Sequence, residues 1–180
     1  MRILKEHCVG LIIDFQERLL PHIYGYEVLL KNTEILIRGL QVLDIPILVT
    51  EQYTKGLGFT VGPIRQSFPS FQPIEKIAFS CCDDGLFVST LGALGKKQVI
   101  IAGIEAHVCV LQTALDLIDK GFVPVVAEDC VSSRKPNDQQ IAIARIQQSG
   151  GIIATYESIL FELTRFSGNE TFKAISKLVK

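Results

Sequence analysis

Cys109 stands just past a short β-branched run, Gln98-Val99-Ile100-Ile101-Ala102, that ends in Gly103, and it opens a segment with helical spacing. A cysteine in the first turn of a helix lies beside unpaired N–H groups and the positive end of the helix dipole. Both favour the thiolate, which is the nucleophilic form. The same N–H groups can hold the oxyanion formed when a thiolate attacks a carbonyl. Read without its neighbours, the position also suits a small buried hydrophobe. Asp14 ends another apolar run, Val9-Gly10-Leu11-Ile12-Ile13. A carboxylate beside a thiol can take its proton and return it to a leaving group. Alone, such an aspartate could equally cap a helix or face water. Lys76 lies in Pro73-Ile74-Glu75-Lys76-Ile77-Ala78-Phe79-Ser80, which reads as a short strand near the rim of the fold. A cation near the other two would hold both charged, although a lone lysine is ordinarily a solvated surface group. The three residues gain weight only in combination.

Positioning them requires a scaffold, and the chain supplies a regular one. Besides the two runs above, Ile45-Pro46-Ile47-Leu48-Val49, Val123-Pro124-Val125-Val126-Ala127 and Gly151-Ile152-Ile153-Ala154 are continuous apolar stretches. Runs of this length suit strands covered on both faces. Between them, Tyr26 to Leu43 and Val108 to Asp119 place apolar residues at three-to-four spacing, as on the face of a helix. Asn137 after Pro136 reads as the N-cap of a helix to about Ser149 that Gly150 closes, and a last helix is expected from Glu170 to Lys180. Strand–helix alternation implies right-handed βαβ units. The expected fold is therefore a single three-layer α/β/α Rossmann-like domain over residues 1–180, with a mostly parallel sheet of about six strands. Glu51 to Ser80, rich in Gly, Pro and Phe, is too long for an ordinary connection and reads as a functional excursion.

Ligands of open parallel sheets bind beyond the carboxyl ends of the strands. That rule selects Asp14-Phe15-Gln16, Thr50-Glu51-Gln52, Gly103 through Cys109, and Glu128-Asp129-Cys130.

Composition narrows the partners. With 48% hydrophobic residues, 21% charged residues and a formal net charge of -1, the chain has material for a core and no concentrated basic face for a phosphate backbone. No apolar run approaches the roughly 20 residues of a membrane helix, and Met1 to His7 has no secretory pattern. The expectation is a cytoplasmic protein that acts on a small molecule, with neither nucleic acid nor membrane as partner. Cys8, Cys81, Cys82, Cys109 and Cys130 include no Cys-x-x-Cys pair and read as reduced, mostly buried thiols. Gly56-x-Gly58-x-x-x-Gly62 has the wrong spacing for a dinucleotide loop, and Gly95-Lys96 lacks the rest of a P-loop. His7, His22 and His107 have no metal-ligand spacing, so neither metal nor organic cofactor is expected.

The landmarks Leu11-Ile12-Ile13-Asp14-Phe15-Gln16, then Glu75-Lys76 ahead of Phe79-Ser80, then Gly103-Ile104-Glu105-Ala106-His107-Val108-Cys109-Val110 with Thr113-Ala114, occur in this order. On them the chain resembles the isochorismatase-like cysteine hydrolases, a family that includes nicotinamidases and N-carbamoylsarcosine amidohydrolases. The resemblance covers nearly the whole chain. It implies an Asp14–Lys76–Cys109 triad, with Cys109 as nucleophile, Asp14 as proton shuttle, Lys76 as charge partner and a thioester-type intermediate. It also implies a cis peptide at Ile104–Glu105, oxyanion donors in the Glu105 and Cys109 N–H groups, and a homo-oligomer. Nicotinamidases bind a metal through an Asp-x-His pair and a further histidine; Thr50-Glu51-Gln52-Tyr53-Thr54-Lys55-Gly56 offers no histidine, which argues against that activity. Gln16, Gln52, Tyr53, Phe79 and His107 could line the pocket or serve the scaffold. Two other readings compete: a binding or scaffolding protein on the same fold, and a redox sensor in which Cys130, Cys81 or Cys82 resolves an oxidised Cys109.

Overall fold

Each apolar run becomes a strand whose side chains alternate between two hydrophobic clusters. In β1 (Cys8–Ile13), buried throughout, Cys8 and Ile12 join one cluster while Val9, Leu11 and Ile13 join the other. The computed structural model describes Met1–Lys180. After β1 come α1 (Tyr26–Val42), β2 (Ile47–Gln52), two short helices α2 (Thr54–Leu57) and α3 (Gly62–Gln66), and β3 (Ile74–Lys76). Next are α4 (Gly85–Ala93), β4 (Gln98–Ile104), a π-helical turn at Ala106–Val110, and α5 (Leu111–Asp119). The chain ends with β5 (Val123–Ser132), α6 (Pro136–Gln148), β6 (Ile152–Ala154), α7 (Tyr156–Thr164) and α8 (Glu170–Leu178).

The six strands make one parallel sheet in the order β3-β2-β1-β4-β5-β6. Helices α1, α7 and α8 cover one face through residues such as Leu36, Leu40, Leu160 and Ile175. Helices α4, α5 and α6 cover the other through Phe87, Leu91, Leu117 and Ile146. This is the three-layer α/β/α domain that the alternation implies. Strand order reverses between β1 and β4, so the binding crevice lies where those two strands end.

Several local expectations shift. β5 runs past Ala127 to Ser132, with a change of register between the pairs Ile101–Val126 and Gly103–Val131. Glu128, Asp129 and Cys130 therefore lie within an irregular stretch of β5 and not in the crevice. Asp129 instead uses Oδ1 to accept the Tyr156 N–H, at 2.9 Å, at the start of α7. Helix α6 begins at Pro136, with Lys135 rather than Asn137 at the N-cap. Proline's fixed φ and missing N–H suit the first helical position. Helix α7 was not among the sequence expectations, though Thr155 caps it by accepting from Ser158 N.

Gly103 locks the seam of the crevice. It pairs with Ile13, and a Cβ there would lie 2.6 Å from Ile13 Cβ and 2.9 Å from the Ile13 carbonyl oxygen. Backbone must move to admit it, and that backbone carries Asp14. Gly103→Ala is expected to lower stability in urea unfolding by about 1 to 3 kcal/mol; an unchanged midpoint would mean that β1 and β4 can separate freely.

Candidate active site

Three strand ends converge on Asp14. The residue follows β1 with φ 56°, a left-handed conformation that Asp adopts more readily than most residues. Its side chain is fully buried, as is that of Lys76 at the end of β3, and Lys76 Nζ donates to Asp14 Oδ2 at 2.7 Å. The remaining protons of the ammonium go to the carbonyls of Ala78 and Phe79, each at 3.2 Å. Thr50, on the neighbouring strand β2, donates its hydroxyl to Asp14 Oδ1 at 2.7 Å. A charge pair this deep persists only when its hydrogen bonds are met, and here they are. Burial by itself would lower the Lys76 pKa; the negative charge of Asp14, with its hydrogen bond, outweighs it and holds Lys76 above its ordinary value.

Cys109 reaches the same carboxylate from the other side of the reversal point. It sits in the π-helical turn ahead of α5, not in the first turn of an ordinary α-helix, and is 3% exposed. Its Sγ lies 3.6 Å from Gln52 Oε1, and the Asp14 carboxylate is near enough for its charge to act on the thiol. Burial, followed by the charge of Asp14, pushes the Cys109 thiol well above its usual pKa, while Lys76 pulls the other way. The expected helix-terminal acidification is thus overturned in the resting site. Lys76 is committed to Asp14, and a buried thiol next to a carboxylate stays protonated. The arrangement is a protonated thiol beside a buried carboxylate. Cys81, also fully buried, lies near this cluster, and its thiol is pushed up to about 12 chiefly by burial.

A cavity of about 270 Å³ opens over Cys109, lined by Leu19, Gln52, Tyr53, Leu57, Phe79, Glu105, Val108 and Cys109. A larger recess of about 590 Å³ lies between β2, α4 and residues Phe68 to Pro73, away from these groups. The Ile104–Glu105 peptide is cis. No three His, Cys, Asp or Glu side chains gather closely enough to hold a metal ion.

The isochorismatase domain matches residues 8–158. Isochorismatase family protein 1B of Dictyostelium discoideum is 36% identical over 184 residues, covering 99% of this chain and 89% of that protein. This chain belongs to the isochorismatase-like hydrolase family. Among solved structures, the MAR1 ribonuclease from Caenorhabditis elegans superposes with a TM-score of 0.93 at 36% identity, covering 99% of this chain and 92% of that one. YcaC from Escherichia coli, described as an octameric hydrolase of unknown specificity, superposes with a TM-score of 0.93 at 27% identity, covering 99% and 89%. YcaC from Pseudomonas aeruginosa, solved with hexane-2,5-diol and covalent acrylamide, gives 0.91 at 27% identity, covering 98% and 91%.

Within this family member, the proposed pocket residues divide. Gln52, Tyr53 and Phe79 line the cavity. Gln16 does not: its amide is spent on the Gln52 backbone and on the Gly58 carbonyl, with bonds of 2.7 to 2.9 Å that tie β1 to β2 and its following loop. His107 does not line it either. His107 Nδ1 shares a 2.9 Å hydrogen bond with Ser133 Oγ, anchoring the π-helical turn to the end of β5. Glu105 lines the cavity, but its carboxylate accepts from Arg134 N and Nε, both at 3.0 Å. The sequence reading missed Thr50 as the second holder of Asp14, and Leu19, Leu57 and Val108 as walls. Thr50 was marked as following a strand, yet a threonine in a β-branched run carries no signal of its own. Leu19 and Leu57 come from irregular segments that pattern does not reach.

Proposed function

We propose that this chain is a cysteine hydrolase of a small amide or similar C–N substrate. The observation that carries the reading is one fully buried carboxylate, Asp14, fixed by Lys76 and Thr50 and acting on the charge of the Cys109 thiol, which opens onto a cavity. Cys109 Sγ attacks the carbonyl carbon as its proton passes to Asp14. The developing oxyanion faces the Glu105 and Cys109 N–H groups. Collapse breaks the C–N bond, the departing nitrogen takes the proton back from Asp14, and a thioester remains. Asp14 then removes a proton from water as it attacks the thioester, and the carboxylic acid and the Cys109 thiol are released. Lys76 holds the Asp14 carboxylate in place through the 2.7 Å contact at Oδ2.

The test is an amide and ester panel with Cys109→Ala as control, read with intact mass for a transient acyl adduct. Turnover and an adduct in the wild type, both gone in Cys109→Ala, are expected. Peroxide-driven disulfide formation at Cys109 without turnover of any substrate would favour the redox-sensor reading, and neither response would favour a binding role. RNA added to the same screen is expected to stay intact: although the C. elegans relative is called a ribonuclease, the apolar cavity and scattered cations here suit a small molecule. Five unpaired thiols fit a reducing, cytoplasmic setting, and no helix is long and apolar enough to cross a membrane. The octameric E. coli relative supports a homo-oligomer, which sedimentation would test.

A further inference from the structure

Every charged group at the Cys109 cavity is already neutralised. Lys76 is paired with Asp14 at 2.7 Å. Glu105, whose side chain is 8% exposed, is paired with Arg134 at 3.0 Å. In the adjoining recess, outside the cavity over Cys109, the Glu75 carboxylate accepts from the Thr54 N–H at 3.1 Å and from its hydroxyl. The rest of the wall is Leu19, Leu57, Phe79 and Val108, with the Tyr53 ring and one carboxamide, Gln52. We propose that the site selects uncharged substrates, namely small neutral amides bearing an apolar group. The inference rests on the hydrolase reading above and narrows its substrate class.

The physical reason is desolvation. A carboxylate or ammonium entering this cavity loses water and meets no free counter-ion, whereas a neutral amide loses much less. Gln52 offers what a neutral amide needs. Its Oε1 faces the thiol, and its Nε2 donates to the Ile77 carbonyl at 3.3 Å. An amide nitrogen carries two protons, so the second remains for a substrate acceptor. The cavity, at about 270 Å³, falls below the range of about 300 to 1,000 Å³ that holds drug-sized ligands. The apolar group must be correspondingly small.

Three thiol reagents of similar size separate the cases without any turnover assay: iodoacetamide (neutral), iodoacetate (anionic) and 2-bromoethylammonium (cationic). Second-order labelling rates at Cys109 of the intact full-length protein are read by peptide mass spectrometry. Each is divided by the same reagent's rate at Cys109 in the urea-unfolded chain, which cancels intrinsic reactivity. The folded protein is expected to favour iodoacetamide over both charged reagents by tenfold or more on this scale. A normalised rate for either charged reagent equal to or above that of iodoacetamide would overturn the uncharged class while leaving the nucleophile in place. Slower labelling than in the unfolded chain is expected of a thiol held protonated; if folded Cys109 takes up none of the three at any pH the fold survives, while the unfolded chain reacts, the hydrolase reading falls and takes this inference with it.

Discussion

Asp14→Asn is expected to lower turnover of any cleaved amide by about 10²- to 10⁴-fold, the range of general acid–base catalysis, while making Cys109 easier to ionise. The two effects have one origin. Burial and then the Asp14 charge hold the Cys109 thiol up, and Lys76 opposes them. Asparagine keeps the shape, removes the negative charge and frees the Lys76 ammonium to favour a thiolate. The midpoint of the alkylation-rate profile against pH should therefore move down in Asp14→Asn. In wild type it should lie above the free-thiol value of about 8.5. Turnover is nevertheless expected to fall, because in the proposed mechanism asparagine cannot accept the thiol proton or deliver it to the leaving nitrogen. A variant with an unmoved midpoint would show that Asp14 does not act on this thiol.

Lys76→Met is expected to cost about 3 to 5 kcal/mol in urea unfolding at neutral pH, since it strands a buried carboxylate. The side chains of both partners are fully buried, so solvent does little to soften the loss. The double variant Asp14→Asn/Lys76→Met should recover most of that stability, because neither side chain then carries a charge. If the double variant is no more stable than Lys76→Met alone, the unpaired charge is not the cause. The pH dependence has a definite sign. Lys76 titrates higher in the folded chain than its ordinary value. Its contribution is therefore complete below the unfolded value of about 10.4 and fades as pH rises through the folded one. The stability difference between wild type and Lys76→Met should therefore shrink as pH rises through that alkaline range.

These expectations depend on features of unequal visibility in the sequence. Fully apolar β-branched runs such as Val9 to Ile13 and Gln98 to Ala102 leave little freedom, because a strand with no polar side must be covered on both faces. Parallel pairing and three layers follow from that. The end of β5 was not legible, since its register change depends on how it meets β4 and Val123 to Ala127 already reads as a complete strand. Nor was α7, a nine-residue helix whose Ile159, Leu160 and Leu163 take meaning only from the face of the sheet they cover.

For the site, the sequence by itself determined which residue types stand at the ends of β1, β3 and β4: Asp14, Lys76 and Cys109. It also determined that no histidine follows β2. What only the tertiary structure decided is how those groups act on one another. Lys76 and Asp14 lie 62 positions apart, and their 2.7 Å contact exists because β3 and β1 flank β2 in one parallel sheet. The protonation of Cys109 likewise reversed. Local position speaks for a thiolate at a helix start, but burial and the neighbouring carboxylate outweigh it, and neither can be read from residues near Cys109 in the chain. Spacing along a strand fixes which side chains reach the crevice; the dielectric and the charges they meet there come from parts of the chain that only folding brings together.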